Sequence, residues 1–424
     1  MNWFGFGFNG FGQIRTNEKL TDGESAGDAN VTYPISIDIV CRNLEEEPVQ
    51  ICQHNSNVDT QIRTSWSRRA ALHSNRLPSR DNNWQTAQPE TAVKGDGRLC
   101  LAGFGVGTPS QKGCGGCVEE SRGCQDAHIS EGYLALSFTD RVECWNSERN
   151  EKKPGWSMVI PDNTGPSLAF PLVPGGYIAS NPPFYRPLSP QLLAVSLALG
   201  TEHAVLLTAS GDIYTWGSGS HGQLGHGDLS PQEEPRAMEA LMGMSMSTVA
   251  AGGWHSVCTS AGGDLYVWGW NESGQVGLPS RALRGEQQKS QDTGGASTCK
   301  DEEESYDDVF ISIQAFPALV DVTQSCEVSK ISCGSRHTAA VTSTGDLYTW
   351  GWGEYGQLGQ GTENSSDEPR RVEFFKDQGL RVVDVVCGPW NTFVSAIKED
   401  PSLHPDTNII NPLTKNDIEW KNCL

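Results

Sequence analysis

Three stretches of this chain superimpose on one another without a gap, and that self-similarity restricts the possible folds more than any other feature. They begin at Leu197, Val249 and Ile331. In each, a histidine (His203, His255, His337) stands thirteen residues before a tryptophan (Trp216, Trp268, Trp350). A glycine follows the tryptophan, and a glutamine (Gln223, Gln275, Gln357) comes six residues after that glycine. Successive histidines are 52 and 82 residues apart, and the extra 30 residues, polar and acidic, fall between Leu278 and Ile311. A unit of about fifty residues reads as one blade of a β-propeller. Inside it, residues 257–259 and 265–268 are apolar or β-branched, and the turn-forming residues 261–264 separate them, which predicts a hairpin. Single hairpins are barely stable in water, so the copies must pack on one another.

The rest of the chain carries weaker versions of this unit. Near the start, Phe6-Gly7 and Gly12-Gln13 keep the glycine-to-glutamine spacing, with phenylalanine in place of tryptophan. Near the end, Gly388-Pro389-Trp390-Asn391 matches the opening of the repeat, with Asn391 for histidine, but the second half is missing. Each end supplies what the other lacks, so the two are expected to share a composite blade. That closure would remove exposed sheet edges. Two degenerate hairpins are expected at residues 66–72 with 95–100, and at 134–145. Six hairpins are thus traceable; a seventh would have to come from the Pro-rich residues 156–190, where no pattern is visible. The chain is expected to be a single propeller over residues 1–400, with insertions near 73–93 and 279–308 and a tail at 401–424. The second insertion reads as a disordered acidic excursion that could attract a basic partner.

The motifs G-x-x-H, G-D-x-Y-x-W-G and G-Q-L-G together resemble the repeat of the regulator of chromosome condensation family. That resemblance implies an all-β, seven-bladed β-propeller. It also implies a structural, hydrogen-bonding role for the three histidines.

Repeats within one chain separate scaffold from function. Positions that agree between copies are expected to build the blades: the tryptophans fill the space between them, and the glycines serve tight turns. Positions that differ are free to act. Before the histidine position stand Glu202, Trp254, Arg336 and Trp390, with Trp66 in a degenerate copy. After Trp-Gly stand His221, Trp270 and Asn271, and Trp352 and Tyr355. A hairpin starts and ends on one face of the disc, so these two sets should be neighbours. Tryptophan, tyrosine and arginine gathered on a surface have the composition of a partner-binding hot spot; the alternative is that they fold inward and plug the channel mouth. The rigid segment around Phe184, Tyr185 and Arg186 offers a docking segment or an anchored linker.

Other chemistry finds little support. Cys114, Cys117, Cys124 and His128 are residue types that zinc accepts, but their spacing follows no zinc motif. The thirteen cysteines are scattered and odd in number, which predicts reduced thiols in an intracellular protein rather than a disulfide framework. Phe104-Gly105-Val106-Gly107 and the other Gly-rich stretches lack the phosphate-binding lysine pattern and read as turns. No nucleophile elbow, paired-carboxylate motif or H-E-x-x-H is present, so neither enzyme nor cofactor is predicted. No apolar run is long enough to cross a membrane as a helix. The formal charge of −21 disfavours direct binding to nucleic acid and favours a basic partner such as histones.

The segments around Trp3-Phe4-Gly5-Phe6-Gly7-Phe8, residues 183–188 and Gly388-Pro389-Trp390-Asn391-Thr392 look like the branch of the family in which the propeller forms nearly the whole protein. The resemblance implies a nuclear, chromosome-associated protein, present in the cytoplasm as well in one version. Its expected partner is a JmjC-type 2-oxoglutarate oxygenase, in support of histone methylation control, transcriptional repression and chromosome segregation. Guanine-nucleotide exchange on a small GTPase is the family's alternative, and direct histone or nucleosome binding is a third.

Overall fold

A computed structural model describes residues 2–9, 14, 30–37, 59–64, 68–74, 98–103, 116–146, 153–161, 168–280, 283, 310–323 and 326–399. Nearly all of both insertions, Trp66, residues 104–107, Cys114 and the 401–424 tail lie outside the described residues.

The described residues form seven antiparallel sheets. Blades 1 and 2 (residues 59–118 and 126–159) are four-stranded and contain the two degenerate hairpins expected there. Blades 4, 5 and 6 start at Ala194, Met246 and Val328 and carry the three clear repeats. In each, the strand that opens with the histidine pairs with the strand that contains the tryptophan: His203↔Gly217, His255↔Gly269 and His337↔Gly351. First strands of successive blades touch one another from blade 3 through blade 7 and on to blades 1 and 2, which makes them the innermost layer.

Blade 7 is the composite. Its order is Asn30–Ser36, Asn2–Phe8, Asn391–Lys398, Leu380–Cys387. The N-terminal strand pairs with the C-terminal one from Asn2↔Ala396 to Gly7↔Asn391. Phe6 takes the tryptophan's place: it is fully buried and lies where any side chain at Gly359 of blade 6 would strike it. The ends therefore meet as the half-repeats predicted.

Blade 3 is the one that sequence patterning does not reveal. It comprises Leu172–Val173, Gly176–Ile178 and Tyr185–Pro187, three very short strands, with no fourth among the described residues. Trp156 belongs to blade 2. Strands of two or three residues are too short to show alternation. What holds blade 3 is its contact with both neighbours: Val173, Ile178 and Phe184 pack with Ala135, Val142 and Cys144 of blade 2, and Leu172 packs with Leu197, Leu206 and Trp216 of blade 4.

Candidate functional site

The repeat's agreeing residues form a buried lattice between blades. His203 Nε2 lies 2.8 Å from Ser256 Oγ of the next blade, and that hydroxyl donates to the Gln223 carbonyl at 2.9 Å. The same triangle recurs as His255–Thr338–Gln275 (2.9 and 2.7 Å) and as His337–Thr392–Gln357 (3.0 and 2.8 Å). A hydroxyl has one proton, and here the glutamine carbonyl takes it. The hydroxyl must therefore accept from Nε2–H, which fixes the tautomer and leaves Nδ1 without a proton. Burial holds the three rings neutral, at about 4 for His203 and about 3 for His255 and His337. A Ser–His pair in this arrangement is no activated nucleophile, because the serine proton points away from the ring and Ser256 is fully buried. The tryptophans complete the lattice: Trp268 is fully buried and donates from Nε1 to the Gln223 carbonyl at 2.8 Å.

The differing residues lie on top of this lattice. In four blades the residue after the Trp-Gly or Phe-Gly pair donates its N–H to the carbonyl of the residue before the histidine position. These bonds are Ser218 to Glu202, Trp270 to Trp254, Trp352 to Arg336 and Phe8 to Trp390, at 2.8 to 2.9 Å. The intervening glycine makes that approach possible: Gly269 has φ +112°, and a side chain there would meet the Trp254 carbonyl at 2.5 Å. The two sets predicted to be neighbours are therefore joined through the backbone.

Their side chains form one continuous ladder across blades 4 to 7. His221 packs on Trp254 and Trp270, with ring centroids 5.7 and 5.4 Å apart. Trp254 meets Trp270 edge-to-face at 5.5 Å. The Arg336 guanidinium then bridges two indoles, 4.7 Å from Trp270 and 5.5 Å from Trp352. Trp352 packs on Trp390 at 4.8 Å and on Tyr355 at 5.1 Å, and Phe8 adds to Tyr355 at 5.2 Å. Each of these side chains is half-buried. Edge-to-face rings and a stacked guanidinium hold one another rigid without a hydrophobic core beneath them. Rigid aromatic surface loses little entropy on binding. Phe8 was absent from the sequence-predicted face, although the Phe6-Gly7 register places it level with Trp270 and Trp352.

Several expected site residues lie elsewhere. Asn271 is fully buried and structural: its Nδ2 donates to the Leu278 and Ile311 carbonyls at 2.8 and 2.9 Å, and its Oδ1 accepts from Val276 N–H at 3.0 Å. It braces the two ends of the 279–308 insertion and offers nothing to a partner. Glu202 is exposed beyond the ladder's His221 end, with no ring contact of its own. Phe184 is a core residue, packed on Tyr133 and Trp156 at 5.0 and 5.9 Å, so the segment is an anchored linker at that point. Tyr185 is half-buried, with its hydroxyl donating to the Gly175 carbonyl, and Arg186 is exposed.

Of the zinc set, Cys114 and the Cys117 side chain lie outside the described residues, and among those that are described no group of side chains could hold a metal ion. Cys124 is buried in an apolar cluster with Leu72 and Leu99, and burial pushes its thiol up to about 12, against the thiolate zinc requires. His128 Nε2 hydrogen-bonds Ser180 Oγ at 2.9 Å. Buried Cys144, Cys258 and Cys387 form no disulfide, and burial raises all three thiols. No helix among the described residues is long and apolar enough to cross a membrane.

Comparison with known proteins bears on the same residues. The regulator of chromosome condensation (RCC1) repeat model matches residues 210–259, 262–341 and 344–395. The human protein RCC1 domain-containing protein 1 is 40% identical over 94% of this chain and 98% of its own length. Its mouse counterpart is 38% identical over the same shares. Among solved structures, Prp20p from Saccharomyces cerevisiae, described with its binding to Gsp1p and histones, superposes with a TM-score of 0.64 at 16% identity, covering 95% of this chain and 92% of that one. That last likeness shows the fold, and the fold is a propeller. With the repeat's histidines, glutamines and tryptophans accounted for blade by blade and a relative matched from end to end, the chain belongs to the RCC1 repeat family.

Proposed function

We propose that this protein is a chromatin-associated interaction platform, not a catalyst, and that its partner binds the ladder running from His221 to Phe8. The observation that carries this reading is the ladder itself, a rigid, half-buried run of tryptophans centred on Arg336. Trp, Tyr and Arg dominate the residues that carry binding energy in protein interfaces. Arg336 supports it further: its half-buried guanidinium, held against Trp270 and Trp352, forms no salt bridge among the described residues, so its charge is free to pair with a partner's carboxylate. The likeness to RCC1 domain-containing protein 1 along nearly its whole length supports a JmjC-type oxygenase as partner, with a role in histone methylation control, transcriptional repression and chromosome segregation in the nucleus. The net charge of −21 supports contact with histones as part of the same assembly.

In a co-purification from nuclear extract, the native chain is expected to retain the oxygenase. Trp254→Ala or Arg336→Ala is expected to weaken that binding by about 30-fold, the effect of losing a hot-spot residue. Undiminished retention by both variants would remove the ladder from the interface. Rapid nucleotide release from a small GTPase on addition of the native chain would instead favour exchange activity.

A further inference from the structure

Between blades 3 and 4 the lattice is interrupted. In the later wedges, the G-Q-L-G loop of one blade covers the tryptophan or phenylalanine of the next, and Trp268, Trp350 and Phe6 are fully buried. Blade 3 ends at Tyr185–Pro187 and has no such loop. Trp216 of blade 4 packs on Leu172, Leu197 and Leu206 but keeps 8% of its surface exposed: its nearest ring, Tyr177, is 5.8 Å away, and its Nε1 reaches only the Tyr177 hydroxyl, at 3.3 Å. The sequence of blade 4 is matched to this loss. Where the later blades carry Ser256, Thr338 and Thr392 to bond a glutamine carbonyl, blade 4 has Ala204. The wedge stays open as a cleft of about 1170 Å³, floored by Tyr177, Tyr214 and Trp216. It is larger than the ~300–1,000 Å³ of ordinary small-molecule sites.

Its walls are acidic. Glu202, Glu233 and Glu234 line the cleft, all exposed, and none has a side-chain partner among the described residues. Arg186 is the one cation among its described lining residues, His203 being held neutral by burial. Glu202 precedes the second strand of blade 4, and Glu233 and Glu234 sit on the fourth, Gln232–Ala237. Two strand spacings separate them, about 10 Å, the reach of three or four extended residues.

We propose that this cleft binds an extended, lysine- or arginine-bearing segment of a partner protein. The segment takes the place of the missing loop. One of its backbone carbonyls accepts from Trp216 Nε1, its basic side chains pair with the three glutamates, and their aliphatic stems lie on the aromatic floor.

The probe is a short fluorescein-labelled peptide of alternating glycine with lysine or arginine, titrated into the full chain. Saturable binding is expected. Replacing the cleft charges together (Glu202→Gln, Glu233→Gln, Glu234→Gln) is expected to weaken it about tenfold. Removing three equally exposed charges elsewhere (Asp321→Asn, Glu327→Gln, Asp377→Asn) is expected to change it less than about twofold. Trp254→Ala is expected to leave it unchanged, which separates this site from the ladder. Equal weakening by both triple variants would reduce the attraction to net charge and overturn the proposal, as would absence of saturable binding.

Discussion

A chain lacking residues 1–8 is expected to lose its cooperative melting transition, or to melt more than about 10 °C below the full-length protein. The removed strand sits between Asn30–Ser36 and Asn391–Lys398. Its loss strips both neighbours of their hydrogen bonds and deletes Trp3, Phe4 and Phe6, of which at most 7% is exposed. Truncating one buried phenylalanine costs about 3–5 kcal/mol, against a typical total stability of about 5–15 kcal/mol. Phe6→Ala alone is therefore expected to remove a large share of the protein's stability, because Phe6 fills the wedge between blades 6 and 7. Asn2→Ala, on the same strand but exposed, is expected to cost less than about 0.5 kcal/mol. Supplying residues 1–8 as a peptide to the truncated chain should restore the transition in proportion to peptide concentration. Calorimetry of the three variants decides the matter: an unchanged melting temperature for the truncated chain would mean that the ring closes without its first strand.

Acid should unfold this protein steeply, and the buried histidines account for a defined part of the slope. They are neutral when folded, at about 3 to 4, whereas a free histidine titrates near 6.5. Between those values the unfolded chain binds more protons than the folded one. Their contribution to stability is complete above pH 6.5 and is lost as the pH falls through that window, at up to about 1.4 kcal/mol per pH unit for each ring. Blade 7 carries Asn391 at the histidine position, which shows a substitute the fold accepts. His255→Asn is expected to lower stability at neutral pH, because it gives up the bond to Thr338. It is also expected to flatten the dependence of unfolding free energy on pH by about 1.4 kcal/mol per pH unit between pH ~4.5 and ~6. Denaturant melts across that range measure both quantities. An unchanged slope would mean that His255 does not titrate as a buried neutral ring.

Blades 4 to 7 were legible because a wedge between sheets makes repeated demands. Each needs a flat aromatic, a glycine that lets two strands approach, and a glutamine whose carbonyl meets the next blade. Those demands recur at fixed spacing and survive in the half-repeats at the two ends. Blade 3 was illegible because its strands are too short for periodicity and it lacks the glutamine loop. The face was partly legible, and Asn271 shows why only partly. It aligns with Gly219 and Gly353, where a side chain would collide with the Ser230 and Asn364 carbonyls at 2.2 Å. In blade 5 the connection to the fourth strand is longer, and an asparagine ties its two described ends through the Leu278 and Ile311 carbonyls. The position varies to accommodate a local detour, which comparison between repeats cannot distinguish from variation that serves a partner. The cleft beside Trp216 went unnoticed for the opposite reason. Its signal is an absence, Ala204 where later repeats carry a hydroxyl, and its meaning depends on knowing which residue that hydroxyl would have reached.

The pairing of Asn2 with Ala396 has a consequence for how the protein is made. The strand bearing Phe4 and Phe6 is synthesised nearly 400 residues before its partner. At about 5–20 residues per second the edge that faces Asn391–Lys398 waits roughly 20–80 s for its partner. During that interval six blades can assemble as an open arc, and the unpaired edge of that strand stays a sticky end until the last strand arrives to latch it.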